Sequence, residues 1–162
     1  MLYKLHKISK KRIFINSLEK KGHLWYNSNI IFGLGGAQMS DTAKKLKILI
    51  CDDSALVRKQ LSNILSNIGE FEIFFAENGN LAVTKYAEIL PDLSFMDIVM
   101  PEKSGIDALK DIISLNPNAK VVMASSIGTQ NNLKTAIENG AFDFIQKPIE
   151  KNAVEKIINK IV

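Results

Sequence analysis

From Lys47 onward, short apolar runs rich in β-branched residues alternate with longer stretches whose apolar residues recur at three and four positions. The first pattern is that of a strand and the second that of an amphipathic helix, so their alternation predicts a parallel sheet built from βα units. Strands are expected at Ile48–Cys51, Glu72–Ala76, Leu93–Met96, Val121–Ala124 and Phe144–Gln146. These runs show little polar alternation, as expected where helices cover both faces of a sheet. Leu56, Val57, Leu61, Ile64, Leu65 and Ile68 mark a first helix ended by Gly69, and Leu81, Ala82, Tyr86, Ile89 and Leu90 a second stopped by Pro91. A third follows Gly105 through Leu115, a fourth runs from about Asn131 to Asn139 with Gly140 as its cap, and a fifth spans Ala153–Ile161. Right-handed crossovers between successive parallel strands then yield an α/β, doubly wound, five-stranded parallel sheet. Little room remains for an output domain.

In an open α/β sheet the ligand crevice lies beyond the carboxyl ends of the strands. The first run ends in Cys51-Asp52-Asp53-Ser54, the third in Met96-Asp97, the fourth in Ala124-Ser125-Ser126 and the fifth in Gln146-Lys147-Pro148. The second, ending in Glu77-Asn78-Gly79, reads as an ordinary turn. Taken singly, Asp52-Asp53 reads as a helix N-cap, Lys147 as a solvated lysine, Ser125 as a strand-end hydroxyl and Pro148 as a helix-start proline. Taken together they put three carboxylates in one crevice, which requires a cation among them. Oxygen ligands of this kind suit Mg²⁺, which takes one or two carboxylates, retained waters and phosphate oxygens. Lys147 would give a mobile ammonium, and Ser125 a hydroxyl donor, to phosphoryl oxygens.

Charge is distributed unevenly. Residues 1–39 carry seven Lys or Arg against one Glu, net +6, whereas residues 40–162 carry fourteen bases against sixteen acids, net −2. The globular part, 45–162, is thus mildly acidic, which argues against nucleic-acid or membrane partners. The single cysteine, Cys51, excludes an internal disulfide and suits a reducing, cytoplasmic compartment; at the end of a strand it reads as a small buried hydrophobe. No stretch of eighteen apolar residues exists, and the basic start is not a signal peptide.

The stretch Ile48-Leu49-Ile50-Cys51-Asp52-Asp53-Ser54, the stretch Pro91-Asp92-Leu93 through Asp97-Ile98-Val99-Met100-Pro101, and the ending Gly140-Ala141-Phe142-Asp143-Phe144-Ile145-Gln146-Lys147-Pro148 together resemble a two-component response regulator receiver domain. Among receivers the chain is most similar to single-domain CheY-like chemotaxis regulators. The resemblance covers Lys47 to Val162 and implies the flavodoxin-like (CheY-like) strand order 2-1-3-4-5. It implies that Asp97 is the phosphoacceptor, that Asp52, Asp53, Asp97 and the backbone carbonyl of Val99 hold Mg²⁺, and that Ser125 and Lys147 bind the phosphoryl group. It further implies that Phe144 is the switch aromatic and that the bond before Pro148 is cis. The partners implied are a histidine kinase, a flagellar motor switch protein or other output protein, and a phosphatase. The fourth helix, fifth strand and fifth helix are the contact face by family analogy.

The chain departs from the family pattern at two places. Ser104-Gly105 stands where Asp-Gly is common, leaving the turn glycine intact, and Phe144 stands where tyrosine is common, removing a hydroxyl from the switch. Val99 and Ile127 flank the site with side chains unable to orient a hydrolytic water, so slow self-dephosphorylation is expected. Residues 1–39 lack receiver features. Met39 is the expected true start, because Gly35-Gly36 codons would read as a ribosome-binding tract; the rival is a basic arm built on Lys10-Lys11-Arg12, Phe14 and Trp25. His6 and His23 have no metal-ligand spacing. A phosphorelay intermediate or phosphate sink is an alternative role for the same chemistry. An aspartyl-nucleophile phosphatase would want an Asp-x-Asp motif, whereas Asp52 and Asp53 are adjacent; a flavin-binding protein would want a Ser/Thr/Gly-rich phosphate loop where Asp53-Ser54-Ala55-Leu56 stands.

Overall fold

The computed structural model describes residues 44–126 and 130–162; the expectations for residues 1–39 and for Ile127 lie outside them. Ten elements alternate: β1 (Leu46–Cys51), α1 (Ala55–Ser66), β2 (Phe71–Ala76), α2 (Gly79–Ile89), β3 (Leu93–Asp97), α3 (Gly105–Leu115), β4 (Val121–Ser125), α4 (Gln130–Glu138), β5 (Asp143–Gln146) and α5 (Lys151–Ile158). The five strands form one sheet, all parallel, in the order β2-β1-β3-β4-β5. Both the doubly wound class and the implied order are therefore present.

The lack of polar alternation has the expected cause. Ile48, Ile50, Phe95, Val122 and Ala124 face one core, shared with Leu61 and Leu65 of α1 and with Val154, Ile157 and Ile158 of α5. The intervening residues Leu49, Cys51, Met96, Val121 and Met123 face the other, shared with Ala82 and Tyr86 of α2, with Ala108, Leu109 and Ile112 of α3 and with Ala136 of α4. β3 and β4 are buried along their whole length. Each large side chain enclosed in this way contributes roughly 1.5–3 kcal/mol of transfer free energy.

Boundaries differ from the sequence reading where capping chemistry decides them. Glu77-Asn78-Gly79 is a helix start, because the Asn78 side chain accepts from the Leu81 N–H at 2.8 Å. α2 ends as expected before Pro91, with Leu90 left-handed at φ 46°; a residue preceding proline is disfavoured in the right-handed helical region. α5 lies earlier than expected, at Lys151–Ile158, with Glu150 at its N-cap. After α4, Gly140 has φ +88° while Ala141 N–H donates to Ala136 O at 3.0 Å, a closing bond that places the intervening glycine where side-chain-bearing residues are strained.

Candidate functional site

Because all strands run the same way, their carboxyl ends gather at one edge, and β1 and β3 are neighbours there. Asp52 and Asp53 follow β1, Asp97 ends β3, Ser125 ends β4, and Lys147 follows β5. Asp52, Asp53 and Asp97 each offer a carboxylate oxygen within 4.8 Å of the others. Lys147 Nζ lies between two of them, donating to Asp52 Oδ2 at 2.6 Å and standing 2.9 Å from Asp97 Oδ2. Asp52 and Asp97 are buried, Asp53 is exposed, and the Lys147 side chain is 13% exposed.

The chain delivers each group by local means. Asp52 N–H extends the ladder to β2 by donating to Ala76 O at 3.1 Å. Asp52 Oδ1 accepts from Ser54 N–H at 2.9 Å, turning the chain, and the Ser54 side chain caps α1 by accepting from Val57 N–H. The cap is thus Ser54, which leaves the acidic pair available to the crevice. Likewise Pro148 does not start α5, which begins at Lys151; the peptide bond joining Lys147 to it is cis. Lys147 N–H donates to Ser125 O at 2.8 Å, tying β5 to β4 at the site. Beyond Asp97, Ile98 N–H donates to Ala124 O and Gly105 N–H to Ile98 O. Val99 is 69% exposed, and Phe144, opposite Met123 in the sheet, is half-buried against the α2–α3 core.

Two features of the site were not singled out from sequence. Arg58, on the first turns of α1, donates from Nη1 to the carbonyls of Asp52 at 2.7 Å and Asp53 at 3.2 Å. Its signal was a cation five positions after the acidic pair. The loop after β3 is held by its neighbours: Glu102, left-handed at φ 65°, accepts from Asn80 Nδ2, and Lys103 pairs with Asp111. No sequence signal marks Glu102, since left-handed backbone favours glycine or asparagine.

Electrostatics make the crevice short of positive charge. Among the described residues three carboxylates face one ammonium, and a like-charge pair within 4.8 Å costs on the order of 3 kcal/mol or more at an effective dielectric near 20. Burial pushes the Asp97 carboxyl above the usual carboxylate range and the Asp52 charge pushes the same way, while the Lys147 contact pulls it back. Burial would lower the Lys147 ammonium, but its hydrogen bonds and charge attraction to Asp52 and Asp97 outweigh that and hold it above its ordinary value. The Cys51 thiol is pushed up by burial and by Asp52, so it stays protonated as a core residue. An all-oxygen donor set with unbalanced negative charge fits a hard divalent cation.

A family model described as "Response regulator receiver domain" matches residues 48–159. The chain is 44% identical over 115 residues to the chemotaxis protein CheY of Thermotoga maritima, covering 71% of this chain and 96% of that one. It is 46% identical over 114 residues to CheY of Bacillus subtilis, covering 70% and 95%. Among solved structures, CheY in the CheX–CheY–BeF3–Mg complex of Borrelia burgdorferi superposes with a TM-score of 0.67 at 32% identity, covering 72% of this chain and 90% of that one.

Proposed function

The chain belongs to the response regulator receiver family, and from that premise we propose that it is a phosphorylation-switched signalling protein whose Asp97 accepts a phosphoryl group from a histidine kinase. The observation that carries this reading is Lys147 Nζ, seated 2.6 Å from Asp52 and 2.9 Å from Asp97 at the common carboxyl edge of the sheet.

The nucleophile is the Asp97 carboxylate, which attacks the phosphorus of a phosphohistidine in line. A P–O bond forms, the P–N bond breaks, and the imidazole leaves with its electron pair. Lys147 donates to equatorial phosphoryl oxygens as it exchanges part of its contact with Asp97. Asp52, Asp53, Asp97 and the Val99 carbonyl would hold Mg²⁺, which supplies the positive charge that neutralises the transferring group. Receivers bind Mg²⁺ through such an acidic cluster, and BeF3 and Mg²⁺ accompany the Borrelia relative. The chain's chemistry is confined to its own phosphorylation and dephosphorylation, so it acts as a switch rather than as an enzyme on other molecules.

The product carries about −1.5 to −2 charges where one carboxylate charge stood. Ser125, buried at the end of β4, is the hydroxyl placed to turn toward that charge, and the space it leaves admits the Phe144 ring. Leu133 and Ile137 of α4 and Phe142 before β5 are exposed apolar side chains, and Phe144 lines a groove with Gln146, Pro148 and Glu150. A ring moving inward changes that surface, and with it partner affinity. The CheY relatives support a chemotaxis setting, with a motor switch protein as output partner and a phosphatase as the route back; a relative of this chain's kind is seen bound to CheX in the Borrelia complex. Among the described residues no helix is long and apolar enough to cross a membrane; a cytoplasmic site of action follows from the partners proposed.

The test is phosphorylation by acetyl phosphate, with and without Mg²⁺, of the native chain and Asp97→Asn, read on a phosphate-affinity gel. Mg²⁺-dependent modification lost in the variant is expected. Modification that persists in Asp97→Asn moves the acceptor elsewhere.

A further inference from the structure

We infer that Arg58 is a positioning residue for the acidic pair: its guanidinium grips the peptide carbonyls of Asp52 and Asp53 from α1 and so fixes where the two carboxylates point. This rests on the metal-dependent phosphoacceptor reading above.

Only Asp52, Asp53 and Ser54 connect β1 to α1, and the two ends of that connection are anchored differently. Asp52 is buried and tied to β2 through its N–H, and its side chain is committed on one oxygen to Ser54 N–H. Asp53 is exposed, and among the described residues no such neighbour supports its side chain. Its orientation is therefore set by its peptide, and that peptide is held by Arg58 Nη1 at 3.2 Å, the same nitrogen that donates to Asp52 O at 2.7 Å. The Arg58 main chain contributes as well, since its N–H donates to Ser54 O at 3.1 Å in the first bond of α1. One residue thus fastens the loop to the helix by both side chain and backbone. A guanidinium suits this task because it is planar and always charged, and its Nη1 carries two N–H donors in fixed directions, enough for both carbonyls. Groups that orient metal ligands without touching the metal commonly set affinity by 10–100-fold.

Charge and geometry make opposite predictions for this residue. A cation beside a divalent site repels the incoming ion, so if Arg58 acts through charge alone its removal tightens metal binding. If it acts by holding the two carbonyls, removal loosens binding. Arg58→Met deletes the charge while keeping a good helix former, and Arg58→Lys keeps the charge while losing the planar, fixed N–H directions of Nη1.

The experiment titrates Mn²⁺ into the full chain and both variants, with free ion followed by electron paramagnetic resonance and folding checked by urea unfolding in EDTA. Expected is a loss of about tenfold or more in Mn²⁺ affinity in both variants, with cooperative unfolding retained. An Arg58→Met chain that binds as tightly as wild type or more tightly overturns the assignment, as does an Arg58→Lys chain of wild-type affinity. If Arg58→Met does not fold, Arg58→Lys decides alone. A wild-type chain that takes up no Mn²⁺ overturns the metal reading itself, a result distinct from wild type binding with unaffected variants.

Discussion

Gly105→Ala adds one methyl group at a point where two pieces of backbone meet. A Cβ built on Gly105 would sit 1.8 Å from Asp97 O, 2.8 Å from Asp97 C and 3.2 Å from Ile98 Cα. All three are main-chain atoms, and the first contact is far inside van der Waals distance, so no side-chain rotation relieves it. Either the end of β3 or the start of α3 must move, against the bonds Ile98 N–H to Ala124 O and Gly105 N–H to Ile98 O, at 3.0 and 2.9 Å. Overpacking against adaptable side chains costs about 1–3 kcal/mol; against main chain the upper end is expected, about 3 kcal/mol or more. For a domain of this size that is a fall in melting temperature of roughly 10 °C or more. Gly69→Ala is the internal control: its Cβ would meet only the tip of the Phe71 ring at 3.3 Å, and its effect should stay within about 1 kcal/mol. Since the displaced carbonyl belongs to Asp97, Gly105→Ala should also slow acetyl phosphate labelling in the fraction that remains folded. Thermal and urea unfolding of the two variants side by side check this. A Gly105→Ala protein as stable as Gly69→Ala would refute the reasoning.

Other expectations concern the charged site and the core. Removing the ammonium by Lys147→Met leaves three carboxylates facing one another, so metal-free stability should fall by about 2–3 kcal/mol, with millimolar Mg²⁺ restoring part of it in urea titrations. Asp97 has a folded-state pKa raised above its unfolded value, so its favourable contribution is present below the unfolded pKa and is lost as pH rises through the folded one. Asp97→Asn in EDTA should therefore gain stability on wild type as pH rises from about 3.5 to 7; a difference that shrinks over that range would contradict the sign. Ser94 is fully buried on β3 between Leu49 and Val121, and its Oγ lacks a hydrogen-bond partner among the described residues. Ser94→Ala should then stabilise by about 1 kcal/mol, read as a higher urea midpoint with unchanged slope.

Much of this protein was legible along the chain because the signals are local. Apolar runs such as Ile48–Cys51 and Leu93–Met96 mark strands through their spacing and β-branching, and Pro91 and Gly140 mark helix ends through backbone constraints. A parallel sheet sends every strand end to one edge, so the chemistry-bearing residues Asp52, Asp97, Ser125 and Lys147 are legible as one group along the chain. Cap competition was not legible: whether Asp52, Asp53 or Ser54 caps α1 depends on which side chain the turn aims at Val57 N–H, and Ser54 takes that place. The grip of Arg58 on two carbonyls, the close approach of Gly105 to Asp97 and the solitary burial of Ser94 were likewise hidden. Sequence alone therefore determined which segments are strands, which are helices and which residue types end each strand, since periodicity and turn chemistry act over a few neighbouring positions. Tertiary structure alone decided that Lys147 meets Asp52 across 95 residues, because strand order and register are set by burying both faces of the sheet at once.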